Sequence, residues 1–243
     1  MQHLGIITNY IDEPSFTEDF ENMVTNRRQS LIVSYLTMRR LIGVIGIALP
    51  IIVVFGGFIQ NGFVILDSIS NYYYTNMRDF FVGLLFGIAL FLISYTGYEK
   101  IDNIVGNLSG LFALGIIMFP DSMYIGKEVK VGIFLLNDTL SGYIHLIFSA
   151  LFFLLLSFNS IFLFTKHGPG PITKEKRHRN LIYRLCGIVM IFSMLCIITY
   201  TTFFKTTIIW KIHPVLILES IALLAFGISW LIKGHTFYKD KKI

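Results

Sequence analysis

A chain of 243 residues that is 54% hydrophobic and 14% charged, with the apolar residues gathered in runs, excludes an ordinary soluble domain, which would break such runs with charge every few positions. The formal net charge of +5 comes mostly from loops, and two cysteines exclude a disulfide framework. What remains is an integral membrane protein.

A spanning helix needs about 20 apolar residues to cross roughly 30 Å of hydrocarbon. Six stretches meet that length: 41–59, 80–98, 104–119, 142–164, 181–203 and 213–232. The expected fold class is an all-α integral membrane protein with six transmembrane helices. Its parts are a cytosolic tail over 1–40, a transmembrane domain over 41–234 and a basic cytosolic tail over 235–243.

In chain order, Asp12, Glu13, Glu18, Asp19 and Glu21 keep the tail out of the membrane, and its start lacks the basic and apolar blocks of a signal peptide. Phe16, Phe20, Met23, Leu31, Val33 and Leu36 fit either a broken amphipathic helix or a partly ordered tail. The first span carries Pro50, which removes a backbone donor, and Gly43, Gly46, Gly56 and Gly57, which let neighbouring helices approach closely. Next comes the most polar stretch lying against hydrocarbon, from Ser68 to Gly83, and then the second span. A tight connection over 99–103 leads to a short third span holding Gly106 and Gly110. Residues 120–141 read as a loop before a phenylalanine-rich fourth span. The loop from Lys166 to Arg179 is the most basic part of the chain, with Pro-Gly alternation at its start. Cys186 and Cys196 lie on one predicted helix, about 15 Å apart at 1.5 Å per residue, so they cannot pair with each other. Trp210, Trp230, Tyr183, Tyr200 and Tyr238 fall at interfacial positions.

Orientation follows from Lys and Arg. An inside amino terminus puts 15 of the 20 on the cytosolic side and leaves Arg78, Lys127, Lys130, Lys205 and Lys211 outside, so both termini are expected in the cytosol. The Ser68–Gly83 stretch then lies on the outer face. Basic cytosolic loops first determine topology and meet anionic lipid. Lys174, Lys176, Arg177 and Arg179 are the candidate face for anionic lipids or for a cytosolic anionic ligand such as a nucleotide, although no phosphate-binding glycine loop accompanies them.

Polar groups within spans point to function because they are costly there. Asp79, His145 and Glu219 all fall in the outer leaflet, Glu219 about 9 Å below the outer end of its helix. With Arg78, Tyr73 and Ser70 they make up a candidate polar cluster. Asp79 shares a helical face with Gly83 and Gly87, and also suits a capping role at the start of its helix. Glu219 requires a partner or a proton, with Arg78, His145 or a tyrosine hydroxyl as candidates. Arg184, one turn into the fifth span, can snorkel to the headgroups.

No His-Glu-x-x-His, Gly-x-Ser-x-Gly or Walker pattern occurs. No cofactor or metal is expected. Ser70, Asp79, His145 and His213 loosely resemble the inventory of alkaline ceramidase and adiponectin receptor type membrane hydrolases, but the His-x-x-x-His pair of that group is missing and the spans number six rather than seven. The pattern Ser68-x-Ser70-x-Tyr72-Tyr73-x-Thr75-x-x-Arg78-Asp79-x-Phe81-Val82-Gly83 resembles a group of uncharacterised bacterial polytopic membrane proteins. The resemblance continues through Arg179-Asn180, Tyr183-Arg184, Cys186-Gly187 and Phe226-Gly227 to Lys233-Gly234, covering most of residues 35–234. It implies a bacterial plasma membrane and supplies no activity. The expected function is a homo-oligomeric channel or pore with the outer cluster on its pathway and the basic cytosolic face as a regulatory surface; the alternative is an intramembrane hydrolase using Asp79, His145 and Glu219 with metal or acid–base chemistry, and the third reading is a non-catalytic lipid or ligand sensor.

Overall fold

The computed structural model describes residues 14–60, 62, 64–97, 99–123, 129–167, 171–204 and 212–234. Both extreme tails, Lys127, Lys205, Trp210, Lys211 and Tyr238 lie outside the described residues. The chain forms α1 (Pro14–Gln60), a 3-10 turn (Ser70–Tyr74), α2 (Arg78–Ser94) and α3 (Lys100–Met118). A two-stranded hairpin, β1 (Lys130–Val131) and β2 (Leu136–Asn137), precedes α4 (Asp138–Phe158), α5 (Lys174–Thr199) and α6 (Pro214–Lys233). Five helical segments, Tyr35–Gln60, Lys100–Met118, Asp138–Leu163, Lys174–Phe204 and Pro214–Lys233, are long and apolar enough to cross a membrane. The protein is a polytopic membrane protein.

Several boundaries differ from the sequence reading for local reasons. α1 is one unbroken helix of 47 residues with Pro50 inside it, so helix runs without interruption from the tail region into the first span. The tight connection expected over 99–103 is already helix, because Glu99 and Asp102 form a reciprocal capping box that starts α3 at Lys100. The loop expected over 120–141 contains the hairpin and the first turn of α4, which begins after Asn137 accepts a hydrogen bond from the Thr139 N–H. Two helices end in π turns, Asn159–Leu163 after α4 and Tyr200–Phe204 after α5.

Each helix packs on the next in sequence and α6 returns to α1, closing a ring. The middle of the ring is filled. Ile88, Leu92, Phe152, Leu156, Met190, Phe226 and Trp230 are all buried. Phe152 meets Phe226 at 6.3 Å between ring centroids, and Tyr95 and Phe164 each stand edge-on to Trp230 at 5.1 Å. The outside has the opposite character: on α5, Leu181, Leu185, Ile188, Phe192 and Leu195 repeat at helical spacing and are exposed, as a lipid-facing side requires.

Small residues close the ring. A Cβ on Gly43 would lie 2.8 Å from the Gly227 carbonyl and 2.7 Å from Leu231 Cγ, and a Cβ on Gly227 would lie 2.7 Å from the Gly43 carbonyl. α1 and α6 therefore touch backbone to backbone, and α3 meets α2 the same way, since a Cβ on Gly110 would lie 2.7 Å from the Ala89 carbonyl. Gly83 has nothing within 4 Å and Gly87 only Ile45 at 3.7 Å. The face that α2 shares between Asp79, Gly83 and Gly87 is thus hardly used within the protomer. The same substitution is expected to have opposite signs at the two kinds of site. Gly83→Ala should be neutral or stabilise by up to about 1 kcal/mol through helix propensity, whereas Gly43→Ala should destabilise by about 1–3 kcal/mol because a backbone carbonyl cannot step aside. Unfolding midpoints in detergent measure both.

Candidate functional site

Residues 64–77 cross one end of the ring as a lid, and consecutive residues in it are bonded to α6. The Asp67 carbonyl accepts from the Leu216 N–H at 2.9 Å, one of the donors that a helix start leaves without an intrahelical partner. The Asp67 carboxylate lies 2.7 Å from His213 Nδ1, which therefore carries its proton on that nitrogen. His213 caps α6 in the left-handed region at φ 48°, an unusual conformation for a side chain of this size that the contact to Asp67 helps to fix. The next two residues reach Glu219. Ser68 Oγ donates to both carboxylate oxygens at 3.1 and 3.0 Å, and the Ile69 N–H donates to Oε2 at 2.6 Å. Glu219 is thus tied to the lid's backbone and a serine, not to Arg78, His145 or a tyrosine.

The 3-10 turn carries the lid inward. Tyr72 is fully buried, lies against Gly57 of α1, and accepts a hydrogen bond from the Leu66 N–H at 3.4 Å. Burial pushes its phenol above the ordinary tyrosine range. Ser70 meets His145 at 3.0 Å from Nε2, and the other ring nitrogen lies 2.8 Å from the Phe119 carbonyl. A carbonyl only accepts, so Nδ1 carries a proton and donates to Phe119, which leaves Nε2 to bond the Ser70 hydroxyl. His145 joins the lid to α4 and to the end of α3. Beside it, Ser141 donates to the Pro120 carbonyl at 2.7 Å, and Asp138 accepts from Ser122 Oγ at 2.6 Å.

Arg78 and Tyr73 lie together at the rim, with the guanidinium donating to the tyrosine hydroxyl at 2.7 Å and its carbon 4.3 Å from the ring centroid. They line an open groove of about 490 Å³ between the lid and the hairpin, with Lys130 across from them. Asp79 is exposed, makes no hydrogen bond to the described residues and does not cap α2, whose N-cap is Met77. Five of the six residues expected to form one cluster fall into two settings: Glu219 under the lid, linked through Ser68 to Ser70 and so to His145, and Arg78 with Tyr73 at the rim. Asp79 stands apart from all of them. Among the described residues no three His, Cys, Asp or Glu side chains converge as metal ligands would.

The opposite end of the ring carries the basic residues. Lys174 and Arg177 are exposed, as solvated residues in the first turn of α5, but Arg179 is buried and Lys176 half-buried. The two inward cations lie toward Arg39 of α1 and Lys233 of α6, neither of which stood out in the sequence as a candidate site residue. Arg39 is 2% exposed. Its guanidinium lies 4.0 Å from the Tyr35 ring centroid, donates to the Tyr35 hydroxyl, to Tyr95 Oη at 2.9 Å and to the Lys233 carbonyl at 3.3 Å. Lys176 and Lys233 both donate to the Phe164 carbonyl, at 3.1 and 3.5 Å. Asp102, buried and occupied in capping α3, is in electrostatic reach of Lys233 together with Arg39, Lys176 and Arg179. At the rim Lys166 pairs with Glu99 at 2.8 Å. The available signal for Arg39 was its position four residues after Tyr35, which places both on one helical face.

No protein-family model, curated protein or solved structure matches this chain.

The clasp on Glu219 can be measured as a coupling. Glutamine keeps one acceptor of the carboxylate and loses the charge, and Ser68→Ala removes one donor. Each single change should cost about 1–3 kcal/mol, and the double mutant should fall short of their sum by about 1 kcal/mol, because both remove the same bond. Chemical unfolding of the four proteins in one detergent gives the cycle, and strict additivity would separate Glu219 from the lid.

Proposed function

We propose that this chain is a non-catalytic ligand-binding membrane protein that crosses the bilayer six times with both termini in the cytosol. α2, at 17 residues, extends about 26 Å, close to the hydrocarbon thickness, and it lies in the ring between two longer spans. Six crossings put the lid and hairpin at one face and the basic end at the other, and the Lys and Arg distribution orients the basic end inward. The resemblance to bacterial polytopic proteins makes the plasma membrane of a bacterium the proposed location.

The observation that carries this reading is how the polar groups of the lid end are spent. Glu219, Ser68, Ser70 and His145 are satisfied by one another and by backbone, and aromatic side chains fill the ring behind them. Groups arranged in this way hold a cover in place. A conduction pathway would need them turned toward water, and general acid–base work would need a proton within reach of a substrate.

A second reading, the homo-oligomeric pore, is favoured by one observation. Asp79 and Gly83 face away from the protomer, with Phe80, Phe86 and Leu90 exposed on the same helix. In that case the axis lies between protomers and Asp79, not Glu219, borders the pathway. Ion flux into proteoliposomes separates the two. The binding protein gives flux no greater than empty liposomes. The oligomeric pore gives flux that Asp79→Asn changes and Glu219→Gln leaves alone, and flux controlled by Glu219 would contradict both.

A further inference from the structure

We propose that the groove between the lid and the hairpin holds the headgroup of an anionic glycerophospholipid from the leaflet at the lid end, with the hairpin's tip inserted beside the acyl chains. The inference names the ligand class for the binding reading above and rests on it.

Two exposed cations line the groove from opposite sides, Arg78 at the start of α2 and Lys130 on β1. Among the described residues the Arg78 guanidinium bonds the Tyr73 hydroxyl with one of its five N–H groups, and Lys130 Nζ makes no hydrogen bond or ion pair. No carboxylate is among the described lining residues. Asp79, next to Arg78, and Asp121, whose carbonyl accepts from the Tyr74 hydroxyl at 2.7 Å, both lie outside it. A phosphate diester suits these walls, because its oxygens can accept from the guanidinium, from the ammonium and from the Tyr73 O–H, whose oxygen already accepts from Arg78. A headgroup with its own ammonium would bring a third cation to the groove, which favours an anionic lipid over a zwitterionic one.

The hairpin identifies lipid as the source of that phosphate. Ile133, Phe134 and Leu135 form its tip and are 64%, 51% and 64% exposed. Three consecutive apolar side chains have no place at a loop tip in water, and Leu135 holds a φ of 51°, where glycine or asparagine is usual. The tip is nevertheless fixed. A Cβ on Gly132 would lie 2.8 Å from Pro120 Cδ and 3.0 Å from the Met118 carbonyl, and the Asp138 N–H donates to the Val129 carbonyl at 2.9 Å. Phe134 also continues a stack of rings that begins within a span: Phe148 of α4, Phe119 and Phe134 follow one another at centroid distances of 5.6 and 5.1 Å. A rigid apolar tip joined in this way to the spanning region belongs in the leaflet. An acyl chain has a track as well, since Val82, Phe86 and Ile93 lie on the Arg78 side of α2 and are half-buried or exposed. A soluble phosphate would meet the two cations and leave the tip and the track without a role.

The test uses the full chain in nanodiscs of phosphatidylcholine and follows the thermal unfolding midpoint as phosphatidylglycerol replaces part of the lipid. The midpoint should rise and saturate. Arg78→Gln or Lys130→Gln should weaken the apparent affinity about ten-fold, and Lys174→Gln or Arg177→Gln, exposed cations at the opposite end of the ring, less than about two-fold. Ile133→Ser combined with Leu135→Ser should weaken it about five-fold or more by withdrawing the tip. Lys130→Arg should keep most of the response. The Lys130→Gln midpoint in phosphatidylcholine alone should match that of the unaltered protein, which separates a lost site from a damaged fold. No saturable response, equal losses from the two ends of the ring, or a saturable response to inorganic phosphate in phosphatidylcholine alone that Arg78→Gln abolishes, which would put a soluble anion in the groove, would overturn the proposal. Ion flux is read separately. Flux with the lipid response intact would overturn the binding reading and leave the lipid site standing, and neither flux nor lipid response would overturn the lipid site alone.

Discussion

A carboxylate on an apolar helix has to find donors, and this one finds them in a segment about 150 residues earlier in the chain. Glu219 takes the Ile69 N–H and the Ser68 hydroxyl, and the rest of the lid end follows from that engagement. With Ile69 anchored, the 3-10 turn places Tyr72 against Gly57 of α1 and Ser70 against His145 of α4. The lid thereby joins the fourth helix to the first and sixth, which pack on each other on the other side of the ring. An unsatisfied carboxylate at that depth would cost several kcal/mol, and so would the lid's own backbone donors without a partner. Each meets the other's requirement.

The two ends of the ring solve opposite problems. At the lid end, acceptors are surrounded by donors and the hydrogen bonds are consumed locally. At the basic end, buried and half-buried cations gather on carbonyls at helix ends. The carbonyls that terminate α4 and α6 draw cations inward, and the aromatic side chains of Tyr35, Tyr95, Phe164 and Tyr183 wall the region.

Much of the fold was legible because hydropathy in a bilayer is a nearly one-dimensional signal. The helices fall where apolar runs predict them, and Glu219 was recognisable as a residue that must have a partner. Which partner was not legible, since it depends on how residues 67–69 fold back over α6, and no local pattern encodes that. Asp79 misled for a related reason. Its spacing to Gly83 and Gly87 is real, but periodicity shows only that residues share a face, not whether the face points at the protein or away from it. Lys176 and Arg179 were found in sequence as part of a basic run, yet their inward turn and their association with Arg39 and Lys233 depend on the ring closing between α1 and α6.

Amide hydrogen exchange at Ile69 tests the central claim most directly. If Glu219 holds the lid shut, the Ile69 N–H should exchange as slowly as amides within α6, and Glu219→Ala should release it and its neighbours in the 3-10 turn while the helices stay protected. Rapid exchange at Ile69 in the unaltered protein would show a free loop over an unclasped carboxylate and would contradict the account.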